Sequence, residues 1–207
     1  MKIRKYMPVI LIVLASGIIL VLSALLIGTP VKKVVKGGGE NVPDTNPSID
    51  SGDMLSLHNA YRAKANASPL SWSSTLAKGA QEWADYLRDN EGCAMRHPTS
   101  GEEKNRYLSG NSWGQNLMSA TRGSAQMAVD GWGPSECPGY SPTAQGVQGT
   151  GHFTQMVWKD TREIGCAKAS CDGSSIWVCN YSPAGNVRVG GGGDEFALYK
   201  RNVEKPC

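Results

Sequence analysis

The chain has 207 residues, which suits one domain of ordinary size with an appendage. Its formal net charge is +3, but six of its 21 Lys and Arg lie in the first 36 residues, where there is no Asp or Glu. The remainder has 15 basic and 18 acidic residues, a net charge of −3, which argues against nucleic acid as a partner.

The N-terminal segment has the composition of an export signal. No charged residue occurs from Tyr6 to Val31, and the apolar run of about 20 residues is long enough to span a bilayer. A cleaved signal peptide usually has a shorter apolar core of roughly 7–15 residues and a small-x-small cleavage site, and no clean site of that kind is present. Residues 1–29 are therefore predicted to form an uncleaved signal anchor, with a cleaved signal peptide as the alternative. Basic residues flank both ends of the run, so they do not set its orientation.

A linker and then a helical region follow. Residues 30–50 are rich in Gly, Pro and Asn and predict a flexible tether, so the domain is expected at residues 51–207. A first helix should contain residues 55–62, capped by Ser51 or Asp53. Two further helices are predicted within residues 71–89 and 123–132, each with its apolar residues on one face. Residues 89–115 are polar and glycine-rich, which predicts a long loop.

The pattern changes to short β-branched and aromatic runs in the last third of the chain. Strands are predicted at residues 153–158, 163–169 and 175–181, with a hairpin turn at 172–175. Helices first and strands afterwards indicate an α+β fold, with an antiparallel meander covered by helices.

The six cysteines all lie after the apolar run, and none forms a C-x-x-C pair, which argues against a zinc ribbon or a thioredoxin-type site. An even number of cysteines after an export signal predicts three disulfides in an oxidising compartment. The domain is therefore expected outside the cytoplasm, secreted or membrane-tethered. The sequence alone allows 15 pairings.

Four motifs carry a resemblance to a known family. They are H-N-A-Y-R (58–62), W-G-Q-N-L (113–117), G-H-F-T-Q-M-V-W with I-G-C-A (151–158 and 164–167), and V-C-N-Y-S-P-A-G-N (178–186). Over residues 51–207 the chain resembles the CAP superfamily of cysteine-rich secretory, antigen-five and pathogenesis-related group one proteins. Its cysteine layout and its ending E-K-P-C are similar to the nematode venom-allergen-like branch.

The resemblance implies a fold and a set of disulfides. The fold is a three-layer α-β-α sandwich with a central antiparallel sheet. The family pattern pairs Cys93 with Cys171 and Cys166 with Cys179, which leaves Cys137 and Cys207 to pair with each other.

The resemblance also implies a cleft lined by two histidines and two acids, in which the histidines can hold a divalent metal such as zinc. The histidines correspond to His97 and His152. Where the family has its first glutamate this chain has Gln115, and an amide can act neither as a base nor as a negative charge. The second family position falls on Ser135, so that Glu136 must reach the cleft from one residue further along. Two histidines alone fall short of the three protein ligands of a catalytic zinc site.

These departures favour a non-enzymatic binding or signalling module with an extracellular protein, a sterol or a fatty acid as its ligand. One alternative is a sterol- or fatty-acid-binding export protein, and another is a metal-dependent hydrolase using His97 and His152. No catalytic residue is predicted, because no G-x-S-x-G elbow occurs and only Ser100 and Ser109 are nominal nucleophiles near His97.

Other polar and aromatic residues are assigned structural roles. His58 is expected to hydrogen-bond within the first helix region. Asn66 and Asn180 begin N-x-S glycosylation patterns, but Asn180 lies in a predicted strand and should be buried and unmodified. The loop at 136–151 is either a disulfide-pinned connector or a lip for a lipid or protein partner. Core positions are expected for Trp132, Trp158 and Trp177.

Overall fold

A computed structural model describes residues 51–99, 113–121 and 123–207 of the protein. The predicted anchor (1–29), the linker (30–50), Ser100 and Ser109 lie outside these ranges. Every helix within them is too short or too polar to cross a bilayer.

The described ranges form five α-helices and four β-strands. The helices are α1 (Ser51–Lys64), α2 (Ser74–Glu91), α3 (Ala125–Trp132), α4 (Gly151–Val157) and α5 (Ala197–Asn202), and the strands are β1 (Ser71–Trp72), β2 (Gly114–Ala120), β3 (Glu163–Cys171) and β4 (Ser174–Ser182). The first three predicted helices and the last two predicted strands are confirmed. Helix α2 begins where the Ser73 side chain accepts a bond from Leu76 N, and it ends at Gly92, whose φ of +57° suits glycine.

The sheet is mixed, with the strand order β1-β3-β4-β2. Strands β3 and β4 form a hairpin around Asp172 and Gly173, and β2 pairs antiparallel with β4. The prediction of an antiparallel sheet is wrong for β1, which runs parallel to β3. This two-residue strand is too short to leave a pattern in the sequence. Most of β2 was also missed, because its G-Q-N start has little β propensity.

The predicted strand at residues 153–158 is also wrong, because residues 151–157 form helix α4. All five residues from 153 to 157 are buried, so the sequence shows no helical period of apolar and polar positions. The first turn of α4 is capped by the carboxylate of Glu136, which accepts bonds from the backbone N–H groups of His152 and Phe153. This capping residue lies 16 residues upstream of His152, so the local sequence pattern does not reveal the start of the helix.

Helices cover both faces of the sheet. On one face, the buried side of α2 packs against Leu117, Ala167, Ala169, Ile176 and Val178. Gly165 permits this approach, because a Cβ there would lie 2.1 Å from the backbone nitrogen of Ala77. On the other face, residues of α1, α3 and α4 pack against alternate residues of β3 and β4. The predicted core tryptophans, Trp132, Trp158 and Trp177, are all buried there.

All six cysteines form disulfides, and the pairs are those that the resemblance implies: Cys93–Cys171, Cys137–Cys207 and Cys166–Cys179. The first ties the end of α2 to the end of β3. The second fixes the start of the loop at 136–151 to the C-terminus. The third joins directly opposed residues of β3 and β4.

Candidate functional site

His97 is held by an amide chain whose direction can be worked out. Its Nδ1 lies 2.9 Å from Gln115 Oε1, Gln115 Nε2 donates to Asn180 Oδ1 at 3.0 Å, and Asn180 Nδ2 donates to the carbonyl of Leu76 at 3.1 Å. A backbone carbonyl only accepts, so Asn180 must turn its NH2 group to Leu76 and its oxygen to Gln115. Gln115 must then present its own oxygen to His97. Nδ1 of His97 is therefore a hydrogen-bond donor, and Nε2 is the ring nitrogen without a hydrogen-bond partner among the described residues.

The segment that carries His97, residues 92–99, has no regular structure and is fixed by its neighbours. The guanidinium of Arg96 lies 5.0 Å from the centre of the Trp83 ring, and the indole Nε1 of Trp83 donates to the Arg96 carbonyl at 3.1 Å. The Cys93–Cys171 bond holds the same segment covalently. The His97 side chain is thus positioned by α2 and by the end of β3.

His152 is held by Glu136. One carboxylate oxygen lies 2.5 Å from His152 Nδ1, and the other accepts from the backbone N–H groups of His152 and Phe153 at 3.0 Å each. Helix α3 ends at Trp132, and the turn after it brings Glu136 to His152 despite its shift of one residue from the family position. The Trp132 ring stacks on the His152 ring with centres 6.2 Å apart. Because Nδ1 faces a carboxylate, Nε2 is again the free ring nitrogen.

The four residues predicted for the cleft thus form two pairs, His97 with Gln115 and His152 with Glu136. Asn116 lies next to Gln115 on β2, and its Nδ2 donates to the His152 carbonyl at 3.1 Å. A pocket of about 160 Å³ opens at the first pair and is lined by His97, Pro98, Trp113 and Gln115. Within the described residues, no three His, Cys, Asp or Glu side chains converge as a metal site would require.

A buried network that the sequence did not reveal lies behind His152. His58 is fully buried; its Nδ1 donates to the Met54 carbonyl at 2.8 Å, and its Nε2 accepts from the Tyr181 hydroxyl at 2.8 Å. Asn116 Nδ2 also lies 3.2 Å from that hydroxyl. Burial lowers the pKa of His58 to about 4. A neutral chain of hydrogen bonds therefore runs from α1 to the His152 carbonyl. His58, Asn116 and Tyr181 each lie in one of the four motifs, but no sequence pattern joins them.

We expect the free energy of unfolding to fall as the pH drops from about 6.5 towards 4. The pKa of His58 is about 4 in the folded chain against an ordinary 6.5, so in this window the unfolded state binds more protons. One such group gives a slope of up to about 1.4 kcal/mol per pH unit. Urea denaturation of the full chain across pH 4–7 measures it. In His58→Gln the slope should diminish, and an unchanged slope would assign the pH dependence to other groups.

Comparison with known proteins gives consistent matches over this domain. The model of the CAP family, described as the cysteine-rich secretory protein family, matches residues 55–181. The human Golgi-associated plant pathogenesis-related protein 1 is 38% identical over 138 residues, covering 65% of this chain and 83% of that protein. Repressed by EFG1 protein 1 of Candida albicans is 34% identical over 151 residues, covering 70% of this chain. The match spans only 51% of that Candida protein.

A solved structure shares the fold. Venom allergen-like protein 4 of Schistosoma mansoni superposes with a TM-score of 0.52 at 24% identity, covering 63% of this chain and 86% of that one. At this identity the likeness bears on the fold alone.

Proposed function

The chain belongs to the cysteine-rich secretory protein (CAP) family, and on that premise we propose that it is an exported binding or signalling module that turns over no substrate. Three disulfides support an oxidising compartment, outside the cytoplasm. If residues 1–29 stay uncleaved, they tether the domain to a membrane. The cysteine layout and the E-K-P-C ending support a place near the nematode venom-allergen-like proteins within the family.

One observation supports this proposal most strongly. The Nδ1 atom of each of the two histidines is hydrogen-bonded to a neighbouring side chain, and neither ring contacts a nucleophilic side chain among the described residues. Nδ1 of His97 is bound to Gln115 and Nδ1 of His152 to Glu136. No Ser, Thr or Cys side chain bonds to either ring within the part of the chain that the structure describes, and every cysteine is in a disulfide. Nucleophilic hydrolysis needs a hydroxyl or thiol beside a base. The cleft is therefore better suited to hold a ligand than to cleave one.

The test compares hydrolysis by the full chain with that of His152→Ala on a panel of peptide and ester substrates. We expect no turnover that depends on His152. Hydrolysis by the native chain that His152→Ala abolishes would overturn the proposal. Met127→Ala, which alters an exposed side chain of α3, is the control for activity that is lost during preparation of a variant protein.

The ligand is an extracellular protein or a lipid, and sterol or fatty-acid export is the alternative for the lipid case. A binding assay with radiolabelled cholesterol and palmitate distinguishes a lipid ligand from a protein ligand. Binding by the native chain, set against a reduced and denatured control, would support the lipid alternative. Retention no higher than in the control would leave a protein as the ligand.

A metal-dependent function is the second candidate, because each histidine has its Nδ1–H directed at an acceptor and its Nε2 free. Such an outer partner orients a metal-binding imidazole. His97 and His152 are the residues that would hold zinc, which would supply a Lewis acid. The donors suit weak binding but not a catalytic centre with three protein ligands. We expect elemental analysis of the chelator-washed, zinc-refilled full chain to show less than one zinc per chain. Stoichiometric zinc together with hydrolysis would favour the hydrolase.

A further inference from the structure

The three disulfides differ in their access to solvent. Both cysteines of Cys166–Cys179 are buried, and in Cys137–Cys207 the first is fully buried while the second is exposed. Both cysteines of Cys93–Cys171 are partly exposed. This bond also lines an open pocket of about 370 Å³ together with Arg88, Gly92, Ser170, Asp172 and Ser174.

The rate of thiol–disulfide exchange depends on the solvent access of both sulfurs of the disulfide. In thiol–disulfide exchange a thiolate attacks one sulfur, and the other sulfur leaves as a thiolate on the far side. At Cys137–Cys207 either the attacking or the departing thiolate would have to lie in the apolar core, where a charge is costly. At Cys93–Cys171 both sulfurs belong to residues that meet solvent.

We propose that Cys93–Cys171 is a thiol-exchange site served by the adjoining pocket. The thiolate of a small thiol attacks Sγ of one of the two cysteines and forms a mixed disulfide, while the Cys93–Cys171 bond breaks and the other cysteine leaves as a thiolate that takes a proton from water. A second molecule of the small thiol then attacks the small-thiol sulfur of the mixed disulfide. This frees the first cysteine and produces the small disulfide, so two thiols are oxidised as one protein disulfide is reduced.

The backbone at Cys93 gives a second reason for exchange here. Gly92 has a φ of +57° and Cys93 a φ of +64°, and the N–H of Cys93 donates to the Leu87 carbonyl at 2.8 Å. Glycine adopts this left-handed conformation freely, but a cysteine does so at a cost. The disulfide and the hydrogen bond to Leu87 both fix Cys93 in this turn, and opening the disulfide removes one of these two constraints.

The charges around the pocket define which thiols it takes. Arg88 is paired with Asp85 and Asp89, each at 2.7 Å, and Asp172 lines the pocket as well. Asp85 and Asp89 do not line the pocket, but they neutralise Arg88, which leaves Asp172 as the lining charge without an ion pair among the described residues. A thiol with a cationic or neutral body is therefore favoured, and one with a carboxylate is repelled.

Opening the bond has a consequence for the cleft that rests on the proposed function. His97 lies four residues after Cys93, in the segment that the bond fixes. Exchange would remove the covalent attachment of this segment and leave non-covalent ones, among them the contacts of Arg96 with Trp83 and of His97 with Gln115. The site in the cleft would thereby become sensitive to small thiols.

The test treats the folded full chain with cysteamine, 2-mercaptoethanol or 3-mercaptopropionate at equal thiolate concentration. Free thiols are then trapped with N-ethylmaleimide, and the unreduced peptides are analysed by mass spectrometry. We expect the small-thiol adduct on one of Cys93 and Cys171 and maleimide on the other, at least tenfold ahead of the other four cysteines. The reaction rates should decrease in the order cysteamine, mercaptoethanol, mercaptopropionate, and Asp172→Asn should reduce the differences between these rates. First labelling at any of the other four cysteines would overturn the proposal. The assay measures only the chemical state of the cysteines, so its result does not depend on whether the cleft binds a ligand.

Discussion

Replacing Arg62 with methionine is expected to lower the free energy of unfolding by about 4 kcal/mol or more, because four buried or partly buried carbonyls lose their donor at a cost of about 1–3 kcal/mol each. Arg62 is fully buried, and burial is the main cause that lowers its pKa to about 10. Its guanidinium donates to four backbone carbonyls, those of Ser68, Met156, Trp158 and Thr161, at 2.7–3.2 Å. Methionine fills a similar volume but leaves these acceptors without a donor, and each unsatisfied buried acceptor is costly.

Urea denaturation of the full chain measures this loss, and two further variants make it specific. Arg62→Lys keeps the charge but not the planar fork of donors, so it should fall between the native chain and Arg62→Met. Arg188→Met removes an exposed arginine paired with Glu195 and should change stability by less than about 0.5 kcal/mol. A loss below about 1 kcal/mol in Arg62→Met would mean that water replaces the guanidinium at these carbonyls.

The sequence predicted those elements whose signals are local. Helices α2 and α3 each have a serine cap, an apolar face and a glycine immediately after the last turn, all within one window. The hairpin of β3 and β4 was found for the same reason. Helix α4 was mistaken for a strand because it is buried throughout and its cap, Glu136, lies in another part of the chain. Strand β2 depends on its pairing with β4 rather than on its own residues.

The four residues predicted for the cleft came from the resemblance, and the structure shows which neighbours each of them contacts. No local pattern joins Gln115 to Asn180, since they meet only through the register between β2 and β4. That register fixes the amide orientations and hence the protonated nitrogen of His97. Asn116 was missed because its role depends on Tyr181 and on the His152 carbonyl, both distant in sequence.

Replacing Gln115 with glutamate is expected to raise the zinc affinity of the full chain by about 10–100-fold, the range over which an outer-shell partner influences a metal site. A carboxylate facing Nδ1 of His97 would make Nε2 more basic and would add a negative charge near the ion. This would give His97 the same kind of partner that His152 already has in Glu136. Isothermal titration with zinc measures the change, and Gln115→Ala, which removes the partner, should weaken binding.

The same substitution should carry a structural cost, which explains why an amide suits this position. Gln115 donates to Asn180 Oδ1, and Asn180 cannot turn over because its NH2 group is bound to the Leu76 carbonyl. A glutamate would place a carboxylate oxygen opposite Asn180 Oδ1, and neither oxygen can donate a hydrogen bond. We therefore expect the free energy of unfolding of Gln115→Glu to fall by about 1–3 kcal/mol. If the gain in zinc affinity persists in Gln115→Glu combined with His97→Ala, the ion is held elsewhere. If the gain in zinc affinity disappears in the double variant while the loss of stability remains, His97 is a zinc ligand. Gln115 then stabilises the amide network of the fold and weakens zinc binding at His97.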